Sequence, residues 1–296
     1  MNLAAYLQRR RRWIDEALKR WVPGQDEYPP QIHRAMHYSL FAGGKRIRPI
    51  LILAATEAVG GRRADALPLA CSFELIHTYS LIHDDLPSMD NDDLRRGNPT
   101  SHKVFGEALA ILAGDALLTE AFCLATRSDL MKNVPPRRWM QALGHLAQAA
   151  GSKGMVGGQT MDILTQGVKT DPPTLEYIHT HKTGALIAAA VAAGAVLGKS
   201  TERQYRALSR YGQNLGLAFQ IVDDLLDEEG EASKLGKAVR KDQSLGKATY
   251  PAVFGKLESR RKAERLIEEA LVELNSFDRR ANPLREIARF ILNRSN

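Results

Sequence analysis

Apolar residues recur at intervals of three and four along nearly the whole chain, as in Leu69, Phe73 and Ile76 and again in Leu215, Phe219 and Val222, while sustained two-residue alternation is missing. This period puts the apolar residues on one stripe of a helix and cannot bury one face of a strand, so it predicts an all-α protein. Breaks fall at Trp21-Val22-Pro23-Gly24, Gly60-Gly61, Gly97-Asn98-Pro99, Pro135-Pro136, Gly167 to Pro173 and Gly230 to Gly236. They separate about ten helical blocks. None is a Gly- and Ser-rich linker, so residues 1–296 read as a single domain, one large helical bundle.

Composition narrows the function classes. With 44% hydrophobic residues and a formal charge of +7, the chain can bury enough surface to fold. Cys71 and Cys123 are too few for a disulfide scaffold, and neither has a Cys or His neighbour at metal-ligand spacing. Met1 to Leu7 runs straight into Gln8 and Arg9 to Arg12, unlike the basic-then-apolar order of a signal peptide. The longest charge-free run, Gly184 to Gly198, falls short of the roughly 20 residues of a bilayer span and reads as a core helix. A cytoplasmic protein without stable membrane insertion is expected. The basic residues are spread along the chain, which argues against a nucleic-acid partner, and Arg9 to Arg12 read as a solvated helix face.

The acids, in contrast, are clustered. Residues 84–93 contain Asp84, Asp85, Asp90, Asp92 and Asp93, and residues 223–231 contain Asp223, Asp224, Asp227, Glu228, Glu229 and Glu231. Both patches follow apolar segments (Leu75 to Ile82 and Leu215 to Val222), where a helix dipole disfavours carboxylates. A cation must offset that cost. Mg²⁺ suits the donors, because it is hard, takes oxygen ligands and bridges one or two carboxylates to substrate phosphates. Helical spacing puts Gln220, Asp223 and Asp227 on one stripe. Asp84 and Asp90 would not share a face of a straight helix, but Pro87 breaks it and can bend Asp90 back towards Asp84.

Basic residues flanked by glycine surround the patches: Gly43-Gly44-Lys45-Arg46-Ile47-Arg48-Pro49, Arg95-Arg96-Gly97, His181-Lys182-Thr183-Gly184, Leu235-Gly236-Lys237 and Gly246-Lys247. Glycine lets backbone approach a ligand, and Lys and Arg supply donors. His77 lies two helical turns before Asp84 on nearly the same face, with Ser80 between them, while His83 abuts Asp84. Two carboxylate clusters ringed by such residues suit a substrate that carries a diphosphate.

On these residues the chain resembles the short-chain trans-isoprenyl diphosphate synthases, most closely the bacterial farnesyl diphosphate synthases. The resemblance runs from about Tyr38 to Pro251. It rests on Gly44 to Pro49, Asp84 to Asp90 with Arg95-Arg96-Gly97, Gly157-Gly158-Gln159, Lys182-Thr183-Gly184 and Phe219 to Asp227. The chain departs from the family pattern at Arg240, where glycine is usual. The resemblance implies an isoprenoid synthase fold with a central cavity and the two aspartate motifs facing each other across its mouth.

By the same resemblance Asp84, Asp85, Asp90, Asp223 and Asp224 hold three Mg²⁺ ions, for which Mn²⁺ substitutes, on an allylic diphosphate. Arg95, Lys182, Thr183, Gln220, Lys237 and Lys247 contact that substrate, and Gly44, Lys45, Arg48, His77 and Arg96 hold isopentenyl diphosphate. The aspartates with Arg95, Lys182 and Lys237 form the catalytic set. The allylic substrates are dimethylallyl and then geranyl diphosphate. A bulky aromatic at Tyr79, beside Ser80, resembles the enzymes that stop at the C15 farnesyl product. Geranylgeranyl diphosphate synthase is the alternative, and so is a non-catalytic subunit of a longer-chain synthase, although such a subunit should lose one aspartate motif. A homodimer is implied.

Overall fold

The structure, a computed structural model, describes residues 1–229 and 247–294. Among these residues the chain is helical apart from one short ribbon. Helix α1 (Leu3–Trp21) starts where Asn2 Oδ1 accepts from the Ala5 amide at 3.0 Å, a side-chain cap for a helix N-terminus. Then follow α2 (Pro30–Leu40), α3 (Ile47–Ala58), α4 (Arg63–Asp84), the strands β1 (Leu94–Arg95) and β2 (Asn98–Pro99), α5 (Ser101–Phe105), α6 (Glu107–Ala125), α7 (Pro136–Ala150) and α8 (Met155–Leu164). The ribbon turns on Arg96 and Gly97, both at positive φ (55° and 77°), as a two-residue hairpin loop requires.

Helix α9 (Pro172–Ile178) is capped by Asp171 and begins with proline. It runs through a π-helical turn, His179–Gly184, into α10 (Ala185–Leu197). Helix α11 (Glu202–Glu229) precedes α12 (Tyr250–Phe254), α13 (Lys256–Glu273) and α14 (Asn282–Asn293). Helix α10 is apolar on every side and buried on nearly every side, as a core helix should be, and it packs against α3, α7 and α11. Thr56 Oγ1 on α3 donates to the Gly194 carbonyl at 3.0 Å, tying α3 to α10.

The charge-free run is therefore a core helix, but it is not isolated. Pro172–Leu197 is one helical stretch long and apolar enough to cross a bilayer, and so is Glu107–Ala125; the former is mostly buried inside the protein and the latter much less so. Arg9, Arg11 and Arg12 are exposed, as a solvated face requires. Arg10 is half-buried, its guanidinium 4.7 Å over the Tyr6 ring and 3.7 Å from Glu57.

Candidate active site

The first acidic patch begins where α4 stops. Asp84 is the last helical residue, and Pro87 cannot continue the helix beyond it. The chain folds back on itself: the Asp90 amide donates to the Asp84 carbonyl at 2.8 Å, that of Asn91 to the Leu86 carbonyl at 3.0 Å and that of Asp92 to the Asp85 carbonyl at 3.2 Å. This brings Asp84 and Asp90 to one cavity, as the proline predicts. Asp85 points elsewhere. It is 3% exposed, lies outside the lining of that cavity and accepts from Arg95 Nε at 3.0 Å and from Arg95 Nη2. Arg95 itself lines the cavity.

The second patch has no such break, because α11 continues through it to Glu229. Asp223 and Asp224 line the cavity together with Gln220. Gln220, Asp223 and Asp227 keep their helical spacing on α11, but only the first two reach the cavity: Gln220 Nε2 donates to Asp224 Oδ1 at 2.9 Å, and Asp227 is buried outside the cavity lining. Asp223 pairs with Arg294, whose guanidinium also lies 4.1 Å over the Phe219 ring. Asp224 accepts from His179 Nε2 at 2.7 Å and from the Tyr250 amide at 2.9 Å.

Lys182 and Thr183 are adjacent in sequence and both line the cavity, from the π turn between α9 and α10. Such turns break the 3.6-residue phase and cluster at functional sites. Two glycines let the neighbours close on this turn. A Cβ on Gly158 of α8 would lie 2.1 Å from the Lys182 amide nitrogen, and one on Gly216 of α11 would lie 2.9 Å from Gly184 Cα. Lys182 Nζ donates to Asp162 Oδ2 at 2.7 Å, and Lys247 Nζ donates to Asp90 Oδ1 at 2.8 Å with Asp162 at 3.8 Å. Burial works against the Lys182 charge, yet Asp162, Asp84 and Asp90 outweigh it and hold its pKa above the ordinary value.

Of the basic segment from Gly43 to Pro49, Arg48 on α3 lines the cavity, together with His77 of α4 and Arg96 of the ribbon turn. Arg48 is pulled down to about 10, chiefly by burial, and its Nε is buried with no partner among the described residues. His77 is held well below its ordinary pKa, first by burial and then by Arg48, Arg96, Arg46 and Arg95, so it is a neutral imidazole. Gly44 and Lys45 stay out of the lining. A Cβ on Gly44 (φ +115°) would meet Arg96 Nη1 at 2.6 Å, so the close approach that this glycine permits is by Arg96 and not by a ligand. Lys45 is exposed, its Nζ 5.7 Å over the Phe290 ring. Arg46 anchors the loop: it is buried, and bonds to Asp15 and Glu74 at 2.8 Å each. Lys237 and Arg240 lie outside the described residues.

The cavity holds about 570 Å³. Tyr79, Met155, Val156, Ile163 and Phe219 give it apolar wall. Tyr79 stands on α4 five residues before Asp84, or about 7.5 Å along the helix axis. It is 8% exposed and packs edge-on to His83 with ring centroids 5.8 Å apart. Ser80 also lines the cavity, its hydroxyl donating to the His77 carbonyl at 3.0 Å. His83 turns from Asp84 towards α6, with Nε2 3.0 Å from the Ile111 carbonyl.

A divalent ion fits these donors. Asp84 is pushed up to about 6, chiefly by burial, with Lys182 opposing and Asp90 reinforcing the shift. A partly buried carboxylate under that strain favours a cation beside it. Among the described residues no three His, Cys, Asp or Glu side chains converge into a closed metal site. The donor set therefore suits a hard ion that keeps positions for phosphate oxygens and water.

Three residues that line or support the cavity carry no clear signal in the sequence. Asp162, behind both lysines, is a lone acid three residues after Gln159. His179 sits among the residues before Lys182, and Arg294 lies 71 residues from its partner. Gln159 belongs to a stretch quoted above, and its amide nitrogen and oxygen are buried in the cavity wall without partners among the described residues.

The chain is similar to known proteins over nearly its whole length. The family profile described as Polyprenyl synthetase matches residues 29–283. A geranylgeranyl diphosphate synthase of Cyanophora paradoxa is 50% identical over all of this chain and 97% of its own. A farnesyl diphosphate synthase of Geobacillus stearothermophilus is 50% identical over 94% of this chain and 93% of its own. The crystal structure of an FPP/GFPP synthase from Zymomonas mobilis, in its apo state, superimposes with a TM-score of 0.87 at 37% identity, covering 98% of this chain and 99% of the other.

Proposed function

Because the chain belongs to the polyprenyl synthetase family, we propose that it condenses isopentenyl diphosphate with dimethylallyl diphosphate and then with geranyl diphosphate, giving (E,E)-farnesyl diphosphate, as a single polyprenyl synthetase domain over residues 1–296. The observation that carries this reading is the convergence of Asp84, Asp90 and Asp223 on one cavity that is also lined by two sets of cations, Lys182 and Lys247 about Asp162, and Arg48 and Arg96 about His77. One diphosphate needs one such set; the second set calls for a second diphosphate.

In this reading Asp84, Asp90 and Asp223 hold Mg²⁺ against the allylic diphosphate, with a count of three ions and with Mn²⁺ as a substitute. A metal held there would supply positive charge where the diphosphate becomes more negative as the allylic C–O bond breaks. Arg95, Lys182, Thr183, Gln220 and Lys247 orient that diphosphate, and Lys237 joins them. Asp85 acts through Arg95, which it clamps. Arg48, His77 and Arg96 hold isopentenyl diphosphate, with Gly44 making room for Arg96 and with Lys45 at the edge of the site. Neutral His77 serves as a hydrogen-bond partner, leaving Arg48 and Arg96 to supply the charge. The alkene of isopentenyl diphosphate attacks the allylic carbon, and the proton then lost passes to the released diphosphate. No side chain is assigned as base. The apolar wall keeps water from the cation.

Product length is proposed from Tyr79. Its ring, braced by His83, closes the wall below Asp84 and favours the C15 product. The C20 reading draws on the half-identical relative that carries the name geranylgeranyl diphosphate synthase. A homodimer is supported by α6, which leaves Ile111 and Leu112 exposed on an apolar helix. The test incubates the protein with isopentenyl diphosphate and either dimethylallyl or geranyl diphosphate, with Mg²⁺ or a chelator, and measures product length for wild type and Tyr79→Ala. Mg²⁺-dependent C15 product is expected, lengthening in Tyr79→Ala. Absence of condensation sinks the enzyme reading, and unchanged C15 from Tyr79→Ala removes Tyr79 as the floor.

A further inference from the structure

The carboxylate of Asp224 is taken up by the protein itself. It is 3% exposed. Its Oδ2 accepts from His179 Nε2 at 2.7 Å and from the Tyr250 amide at 2.9 Å, and its Oδ1 accepts from Gln220 Nε2 at 2.9 Å. A carboxylate offers about four lone-pair sites, so three of them are filled. Asp223, its neighbour, keeps a side chain that is 42% exposed. His179 is buried as well, at 4% exposure, and meets the Tyr250 ring edge-on with centroids 5.2 Å apart. An ionised carboxylate can only accept, so Nε2 is the donor of this bond.

Each of the three donors belongs to a different stretch of chain, and each stretch carries residues of the cavity. His179 opens the π turn that presents Lys182 and Thr183. Gln220 stands on α11 beside Asp223. Tyr250 begins α12, three residues after Lys247. We propose that Asp224 and His179 are positioning residues, a buried pair that sets the π turn, α11 and the start of α12 in register around the allylic diphosphate, and that Asp224 is not a metal ligand. This rests on the prenyl diphosphate reading of the cavity. Charge-assisted hydrogen bonds in a buried site are strong and directional, so the pair can hold three backbones without a metal.

The experiment compares Asp223→Asn, Asp224→Asn, His179→Leu, His179→Gln and the double variant Asp224→Asn/His179→Leu. Mn²⁺ binding is read by electron paramagnetic resonance in the presence of an unreactive thio analogue of the allylic diphosphate. Asp223→Asn loses bound Mn²⁺, while Asp224→Asn keeps the wild-type number of ions. Asp224→Asn and His179→Leu each raise KM for the allylic substrate and lower kcat/KM by about 10- to 100-fold, with KM for isopentenyl diphosphate unchanged. The double variant falls within about twofold of the worse single one, because both substitutions break the same interaction. His179→Gln, which keeps a donor near the Nε2 position, recovers most of the loss. Loss of an ion in Asp224→Asn, or effects that multiply in the double variant, would overturn the proposal.

Hydrogen exchange at the Tyr250 amide, measured without substrate or metal, separates this proposal from the functional one. It should accelerate in Asp224→Asn and His179→Leu while the amides of α10 stay protected. If the wild-type protein shows no condensation and the Tyr250 amide still responds, the functional reading fails and the tether stands. An unchanged Tyr250 amide sinks the tether whatever the activity.

Discussion

The two acidic patches have similar composition and opposite backbones. In the first, α4 ends and a loop returns to it, so two acids separated by six positions, Asp84 and Asp90, reach one cavity. In the second, α11 runs on to Glu229, and Asp227, one turn beyond Asp223, is buried away from the cavity. Breaking a helix can bring distant residues together; an unbroken one delivers a single stripe. Yet the patches share one rule. Each opens with two adjacent aspartates, which a helix turns roughly 100° apart. In each pair the second aspartate is 3% exposed and bound by the protein, Asp85 by Arg95 and Asp224 by His179, Gln220 and the Tyr250 amide. A run of two aspartates thus contains two chemistries.

The largest effect should separate the members of a pair. Asp84→Asn and Asp223→Asn are expected to lower Mg²⁺-dependent kcat on the order of 10³-fold, as loss of groups that stabilise developing charge does. Asp85→Asn leaves the cavity-facing carboxylates intact and loosens Arg95, for an expected fall of about 10- to 100-fold. Steady-state kinetics across a Mg²⁺ titration checks this. If Asp85→Asn were as damaging as Asp84→Asn and shifted the Mg²⁺ dependence equally, the rule that divides each pair would fail.

A second difference lies in stability. Asp84 is pushed up to about 6, mainly by burial, from 3.8. Between these values the folded chain binds a proton that the unfolded chain releases, so stability falls as pH rises through that window, and the whole penalty is present at neutral pH. After allowance for water in the cavity it is on the order of 2 kcal/mol. Asp84→Asn should therefore melt higher than wild type at pH 7 without metal, with the gap narrowing as pH falls below 6. Calorimetry between pH 5 and 8 decides it, and an Asn variant less stable at pH 7 would show that the Asp84 charge is satisfied by the protein.

Much of this was legible in the residues, and the remainder follows from packing. The three- and four-residue spacing gives the helices because burial demands one apolar stripe. Pro87 announces the bend that joins Asp90 to Asp84. What the sequence does not carry is rotational phase: which aspartate of a pair is taken up by the protein's own donors depends on how α4 and α11 are turned by their neighbours. The π turn at Lys182 is likewise set by the close approach of Gly158 and Gly216, residues far from it in sequence. Gly97-Asn98-Pro99 reads as a break, but the left-handed Arg96 beside it makes that break a hairpin that aims both Arg95 and Arg96. Arg46 looks like one more phosphate-binding base until its burial against Asp15 and Glu74 is seen.

The smallest predicted effect concerns the cations that stand on the cavity-facing acids. Lys247 donates to Asp90 at 2.8 Å, and Arg294, from the end of α14, pairs with Asp223. Both come from the last fifty residues and meet the acids that a metal would use. A metal reaching Asp223 must displace Arg294 or share the carboxylate with it. Because the Asp223 side chain is 42% exposed, the pair is screened, and its contribution is about 1 kcal/mol. Arg294→Met, which keeps bulk beside the Phe219 ring but removes the charge, should raise Mn²⁺ affinity without substrate by about fivefold. The matching change at Lys247 is harder to read, since Lys247 also faces Asp162 at 3.8 Å. Paramagnetic titration of Arg294→Met against wild type gives the answer. Weaker Mn²⁺ binding in the variant would mean that Arg294 holds Asp223 in the metal-ready position instead of competing for it.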